Sequence, residues 1–264
     1  IGYKNASDCG ELIGKKIGPF FRSKSKIHEN LKSSNIGSSE KDREKITENM
    51  WGNYGRILSE YVYLKKFREN NLNNFLEIEG YEILEQIKKN SEQVVFISGH
   101  FNNFELMAME IEKAKIDLCA IYRPLNNPFL NINLENFRKK YICKNQIKKG
   151  ISGTKELLLN FRSGKSIALM IDQRVSEGIK SNFFNEKAST TTIPAQLVKK
   201  YKIPVVPIFI ERFDDIKFKM TINKPINFDE NKSVEEITNK LNKLLENMIL
   251  QNPKYWIWSH NRWK

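Results

Sequence analysis

The chain has 264 residues and a mass of 31.0 kDa, enough for one large domain with a substantial buried core. A hydrophobic share of 40% beside 28% charged residues excludes wholesale disorder. The three scattered cysteines, Cys9, Cys119 and Cys143, exclude a disulfide scaffold or a zinc module, and the best apolar run, residues 205–210, is far too short to cross a membrane. The net charge of +13, with a pI near 9.5, favours acidic or phosphate-bearing partners such as nucleic acid, anionic lipid or an acidic carrier protein. The 34 Lys outnumber the 10 Arg and are spread along the chain, a pattern of general electrostatics rather than bidentate readout. The 29 Asn leave compositional bias as the other source of that excess.

In chain order, residues 1–92 read as helical and polar, with no strand of convincing period. Within them residues 10–27 mix Leu12, Ile13, Ile17, Phe20 and Phe21 with Lys15, Lys16, Arg22, Lys24 and Lys26. Such a basic, aromatic-bearing amphipathic segment suits a membrane interface; a surface helix packed on the domain through the same apolar residues suits it equally. Residues 1–50 are therefore expected to form a basic helical extension near a membrane, and residues 51–264 the main domain.

From residue 93 onward short β-rich runs alternate with amphipathic ones. Strands are expected at 93–98, 118–122, 166–171, 204–210 and 217–222, and helices near 104–115, 129–141, 153–162 and 194–201. This alternation predicts an α/β fold whose mostly parallel central sheet is covered by helices. The last helix is the clearest element: Ser233 and Glu236 form a capping box, Ile237, Leu241, Leu244, Leu245 and Met248 line one face, and Pro253 stops it.

The run Val94-Val95-Phe96-Ile97-Ser98-Gly99-His100 is a buried strand ending in Gly-His, with a helical pattern directly after it. Reactive groups gather at the carboxyl ends of strands in open α/β sheets, which is where His100 falls. Glu105 follows in the first helical turn, within reach of the imidazole if the chain bends between them. A His–carboxylate pair is the orienting device of general-base catalysis. The same spacing also fits a helix-capping His and a solvated first-turn acid favoured by the helix dipole.

Gly99-His100-Phe101-Asn102-Asn103-Phe104-Glu105 resembles the His-x4-Asp/Glu block of the glycerolipid acyltransferase superfamily, and in detail that of the lipid A biosynthesis acyltransferases, the lauroyl/myristoyl, HtrB-type family. Further blocks agree in order: Tyr122-Arg123-Pro124-Leu125-Asn126-Asn127-Pro128, Gly164 onward to Asp172-Gln173, Phe183-Phe184, Thr190 onward to Pro194-Ala195, Pro204-Val205-Val206-Pro207, and Trp256-Ile257-Trp258-Ser259-His260-Asn261-Arg262-Trp263-Lys264. They span about residues 51–264. The sequence departs from the family at Asn103, Phe104, Asn185 and Ile193, positions that bear on acceptor and chain-length specificity.

The resemblance implies acyl transfer from acyl carrier protein to a hydroxyl of a phosphorylated lipid A precursor. His100 would be the base, and Glu105 would orient it. Arg123, Asp172, Gln173 and Asn103 are candidate substrate contacts, while His260, Arg262 and Trp263 are expected to brace the structure. For Arg123 a surface salt bridge, and for Asp172 and Gln173 a turn cap, remain open. No bound cofactor or metal is implied, since the acyl group arrives on the carrier's phosphopantetheine arm. The family also implies an anionic membrane surface as partner, no nucleic acid, and the cytoplasmic face of a bacterial inner membrane, held by a helix ahead of Ile1. An enzyme of the superfamily acting on another glycolipid or glycerolipid, and a non-enzymatic basic binder, are the alternatives. Other chemistries fail on spacing: there is no Gly-x-Ser-x-Gly elbow or His-Glu-x-x-His, the glycine a P-loop needs upstream of Gly164-Lys165-Ser166 is Leu159, and Cys119 falls in an apolar strand.

Overall fold

The computed structural model describes residues 2–124 and 127–263. Helices α1 (Tyr3–Ile17), α2 (Lys24–Ser33), α3 (Glu40–Glu60) and α4 (Leu64–Arg68) come first. Then follow β1 (Leu76–Glu79), α5 (Tyr81–Asn90), β2 (Val95–Ser98), α6 (Glu105–Lys113), β3 (Leu118–Tyr122), α7 (Pro128–Tyr141), β4 (Asn145–Lys148), α8 (Ile151–Arg162) and β5 (Ser166–Met170). The chain continues through β6 (Ile179–Phe183), β7 (Glu186–Thr190), α9 (Ile193–Tyr201), β8 (Val205–Phe213), β9 (Lys217–Ile222) and α10 (Val234–Gln251).

Seven strands form one sheet in the order β1-β9-β8-β2-β5-β3-β4, parallel at every pairing except β8 with β9. Strand β2 is buried along its whole length, as a strand flanked on both sides in a covered parallel sheet must be. The five expected strands and the capping box of Ser233 with Glu236 are present. The absence of strands expected before residue 93 is corrected by β1, whose Leu-Glu-Ile-Glu sequence alternates half-buried and exposed at the sheet edge. Polar β4 closes the other edge, and β6 and β7 form a separate antiparallel hairpin. All four are four or five residues long, too short for a periodic signal.

The first helix packs the opposite way from a usual amphipathic helix. Tyr3, Ser7 and Gly10 are buried on it, and Gly10, Gly14 and Gly18 present a side-chain-free stripe to α3. A Cβ on Gly55 would stand 1.9 Å from the Gly10 carbonyl oxygen, and one on Gly14 would stand 2.3 Å from the Trp51 carbonyl oxygen, so the two backbones touch. The large apolar residues point outward: Leu12, Ile13, Ile17, Phe20 and Phe21 are 62%, 51%, 49%, 88% and 77% exposed. Packing of a surface helix through those residues is thus not what the fold uses.

A buried ion pair joins these helices to the sheet. Arg212 near the end of β8 grips Glu60 of α3 with two hydrogen bonds, 2.7 and 3.0 Å, and both side chains are shut off from solvent. Glu60 also accepts from Ser7 of α1 at 2.7 Å and from Asn103 at 3.2 Å, so all its lone-pair directions are used. Tyr3, Ile27, Leu31 and Trp51 belong to the same apolar core as Val95 and Phe96. Gly55→Ala forces the α1 and α3 backbones apart and is expected to cost roughly 1–3 kcal/mol, read as a lower urea midpoint with an unchanged m-value.

Candidate active site

Strands β2 and β5 are parallel neighbours in register, with Ser98 opposite Met170. Ile171 continues the ladder by donating its N–H to the Ser98 carbonyl at 2.9 Å. The chain then places the residue two beyond each partner, His100 and Asp172, side by side at the carboxyl edge. The His100 backbone N–H donates to Asp172 Oδ2 at 2.8 Å, and its Nδ1 lies 2.8 Å from Oδ1. Trp256 Nε1 donates to Oδ2 at 3.0 Å. Asp172 is fully buried, whereas the His100 side chain is 23% exposed. With Nδ1–H donated to a carboxylate, the Nε2 lone pair is left without a partner among the described residues, the arrangement in which an imidazole can accept a proton.

Burial opposes charge on His100, but the Asp172 carboxylate, through its charge and hydrogen bond and with help from Glu105, outweighs it and raises the imidazole above its ordinary value. Burial likewise opposes the Asp172 anion, yet His100 and the donated N–H groups hold its carboxyl down at about 2. The pair is thus an acid that stays ionised beside a base made more basic.

The loop between His100 and α6 is fixed from several sides. Phe101 is buried edge-to-face on Phe209. Asn102 takes a left-handed conformation (φ 44°) and donates to the Ile210 carbonyl at 2.9 Å. Asn103 is fully buried with its amide on Glu60, so it shapes the loop and does not face a substrate as expected.

Glu105 begins α6, but its carboxylate bonds Tyr61 Oη and the Arg138 guanidinium, whose Nε approaches to 2.8 Å. It acts on His100 through its field alone, and the orienting contact expected of it belongs to Asp172. That in turn corrects the reading of Asp172 as a substrate contact or turn cap. Nothing in the spacing of Asp172 from His100 signals the pair, because it depends on which strands are neighbours.

Arg123, directly after β3, is exposed and forms no ion pair with described residues, so the salt-bridge alternative is not realised. Its charge, after burial, lowers the pKa of Lys149, which follows β4 at the same edge and was not anticipated. Gln173 is half-buried beside Asp172 with no side-chain hydrogen bond to a described residue. The C-terminal segment returns to the site. His260 Nε2 accepts from the Arg174 N–H at 3.1 Å, and burial lowers its pKa to about 4, keeping it neutral. Arg262 is fully buried, donating to the Ser189 carbonyl and Thr190 Oγ1 at 2.8 Å and lying over Phe183. Trp263 donates to the Phe183 carbonyl at 3.1 Å. Leu125, Asn126 and Lys264 of the matched blocks lie outside the described residues.

Burial pushes the Cys119 and Cys143 thiols up to about 11 and about 12, which makes them poor nucleophiles. Among the described residues no three His, Cys, Asp or Glu side chains converge as metal ligands would. The edge therefore offers an oriented base, two cations with no ion pair among the described residues and a half-buried amide, a set suited to deprotonating a hydroxyl beside an anionic group.

The family model described as bacterial lipid A biosynthesis acyltransferase matches residues 1–264. The lipid A biosynthesis lauroyltransferase of Escherichia coli (strain K12) is 24% identical over 97% of this chain and 83% of its own length. The palmitoleoyltransferase of the same strain is 23% identical over the same shares. A crystal structure of the 1-acyl-sn-glycerophosphate acyltransferase from Thermotoga maritima aligns over 97% of this chain and all of its own, at 14% identity and a TM-score of 0.45.

Removing the Asp172 charge leaves burial as the main influence on His100, and burial disfavours imidazolium. In Asp172→Asn the His100 titration, followed by the ring C2 proton in NMR, is therefore expected to move to lower pH. A midpoint at or above the wild-type one would refute the pairing.

Proposed function

The chain belongs to the bacterial lipid A biosynthesis acyltransferase family, and on that premise we propose that it transfers a fatty acyl chain from acyl carrier protein to a hydroxyl of a lipid A precursor. The observation that carries the mechanism is the His100–Asp172 pair across the ends of β2 and β5. His100 Nε2 takes the hydroxyl proton, and the oxygen attacks the thioester carbonyl. The new C–O bond forms as the C–S bond breaks, and the imidazolium returns the proton to the departing phosphopantetheine thiolate. Asp172 holds the tautomer and stabilises the imidazolium; Glu105 adds its field, with Arg138 and Tyr61 fixing it in place. Arg123 and Lys149 suit the phosphate of the carrier arm or the developing oxyanion, and Gln173 suits an acceptor hydroxyl. Exposed Leu58, Val62, Phe129 and Ile132 on the segments that bear Tyr61 and Arg138 suit a hydrocarbon chain.

The setting we infer is the inner face of a bacterial inner membrane. No described helix is long and apolar enough to cross a bilayer. What supports the membrane is the outward face of α1 and the turn after it, where Leu12, Ile13, Ile17 and Phe20 lie among lysines, matching an anionic lipid surface in polarity and charge.

The test is mass spectrometry of a reaction with acyl-loaded carrier protein and a tetra-acylated lipid A precursor. A gain of one acyl chain is expected, with a rate lower by about 10²–10⁴-fold in folded His100→Ala; wild-type turnover in that variant would sink the mechanism. Transfer to a glycerolipid or another glycolipid alone would move the acceptor and keep the chemistry. Because the chain is strongly cationic, the KM for the carrier is expected to rise with salt, and a salt-independent KM would refute electrostatic steering.

A further inference from the structure

Past the outward face of α1, the chain turns through Gly18–Phe20 into α2, and an open cavity of about 750 Å³ lies there. Phe20, Phe21, Arg22, Ser23, Lys26 and Asn261 line it, two cations and no acid. The Arg22 guanidinium makes no hydrogen bond or ion pair with a described residue, and its Nε is buried. Among the described residues Lys26 pairs with Glu29 alone, at 3.2 Å. Asn261 Oδ1 is also buried, with no hydrogen-bond partner among the described residues. Buried polar atoms are nearly always satisfied; both atoms are closed to solvent, so a ligand that brings an acceptor to Arg22 and a hydroxyl to Asn261 would satisfy them once these two lining side chains turn toward the cavity.

Two features narrow the ligand. Phe20 and Phe21 are among the most exposed large apolar residues and continue the outward face of α1, so the cavity lies at head-group depth for a lipid whose chains meet that face. Asn261 also follows His260, whose ring feels the charges of Asp172 and His100, and Asn30 of α2 donates to the Trp258 and His260 carbonyls at 2.8 and 3.0 Å. The cavity is thus joined to the C-terminal segment that passes the His100–Asp172 pair.

We propose that this cavity binds the phosphorylated, hydroxyl-bearing head group of an amphiphile, with Arg22 and Lys26 on the phosphate and Asn261 on a hydroxyl. The proposal rests on the acyl-transfer reading only for naming the acceptor as one source of that head group; a membrane phospholipid is the other.

Binding can be measured without turnover, by titrating the full chain with three probes in the same non-ionic detergent: a tetra-acylated glucosamine disaccharide bisphosphate, its phosphatase-treated counterpart, and dioleoylphosphatidylglycerol. Arg22→Gln with Lys26→Gln is expected to weaken bisphosphate binding by about tenfold or more. The dephosphorylated probe should bind less well to wild type and respond little to the substitutions. Lys32→Gln, which removes an exposed charge on α2 outside the cavity, should change binding by less than about twofold. Asn261→Asp, isosteric but anionic, should reproduce the loss even if the double variant is unstable.

A response confined to the disaccharide assigns the cavity to the acceptor, and a response shared by phosphatidylglycerol assigns it to lipid phosphate generally; both support the proposal. Equal affinity for phosphorylated and dephosphorylated probes, or an equal loss in Lys32→Gln, overturns it. A chain that binds through the cavity yet transfers no acyl group overturns the acyl-transfer reading alone, and one that transfers with a silent cavity overturns this proposal alone.

Discussion

The ion pair of Glu60 with Arg212 is the contact on which the arrangement turns. Burying both charges costs several kcal/mol per ion, recovered only when every oxygen and N–H finds a partner. Ser7, Asn103, Asn53 and the Asp215 carbonyl supply them. Those partners come from α1, the loop after His100, α3 and the β8–β9 turn, the first two bonding Glu60 and the last two Arg212, so satisfying one ion pair fixes four parts of the fold together. The N-terminal helices thus belong to the apparatus that places His100. The cost of disturbing the pair is spread over all of them, because any one lost partner leaves a charge stranded in the core.

The Gly55–Gly10 contact is the apolar counterpart. Two helices can approach to backbone distance only where side chains are missing, and the glycines at 10, 14 and 18 provide that stripe. Tight backbone packing then holds Ser7 where Glu60 needs it. It also leaves Leu12, Ile13 and Ile17 of α1 nowhere to go but outward.

Much of the site was legible in the sequence, for physical reasons. A fully buried strand needs an unbroken apolar run, so β2 and the position of His100 at its end stand out, as does α10 with its capping box. Collinear blocks carried the family. What was not legible depends on three-dimensional neighbours. That β5 lies next to β2 is a matter of sheet order, so Asp172, 72 positions from His100, could not be chosen over the nearby Glu105. Arg138 and Tyr61 claim Glu105 from other elements, which local spacing cannot show. Short edge strands such as β1 and β4 have too few residues to display a period. In α1 the apolar residues were easier to see than the glycines, although the glycines decide which face is buried.

The third hydrogen bond to Asp172 comes from Trp256, and the hairpin β6–β7 is clamped by Arg262 and Trp263. Protein synthesis runs from the N-terminus, and domains begin to fold as they emerge. On the ribosome, then, the sheet can assemble with His100 and Asp172 adjacent while the acid still lacks its indole donor and the hairpin its clamp. Residues 256–263 act as a latch closed after the sheet. A nascent chain stalled before them would carry the His100–Asp172 pair without its indole donor, so the order of translation separates building the scaffold from completing the hydrogen bonds at its edge.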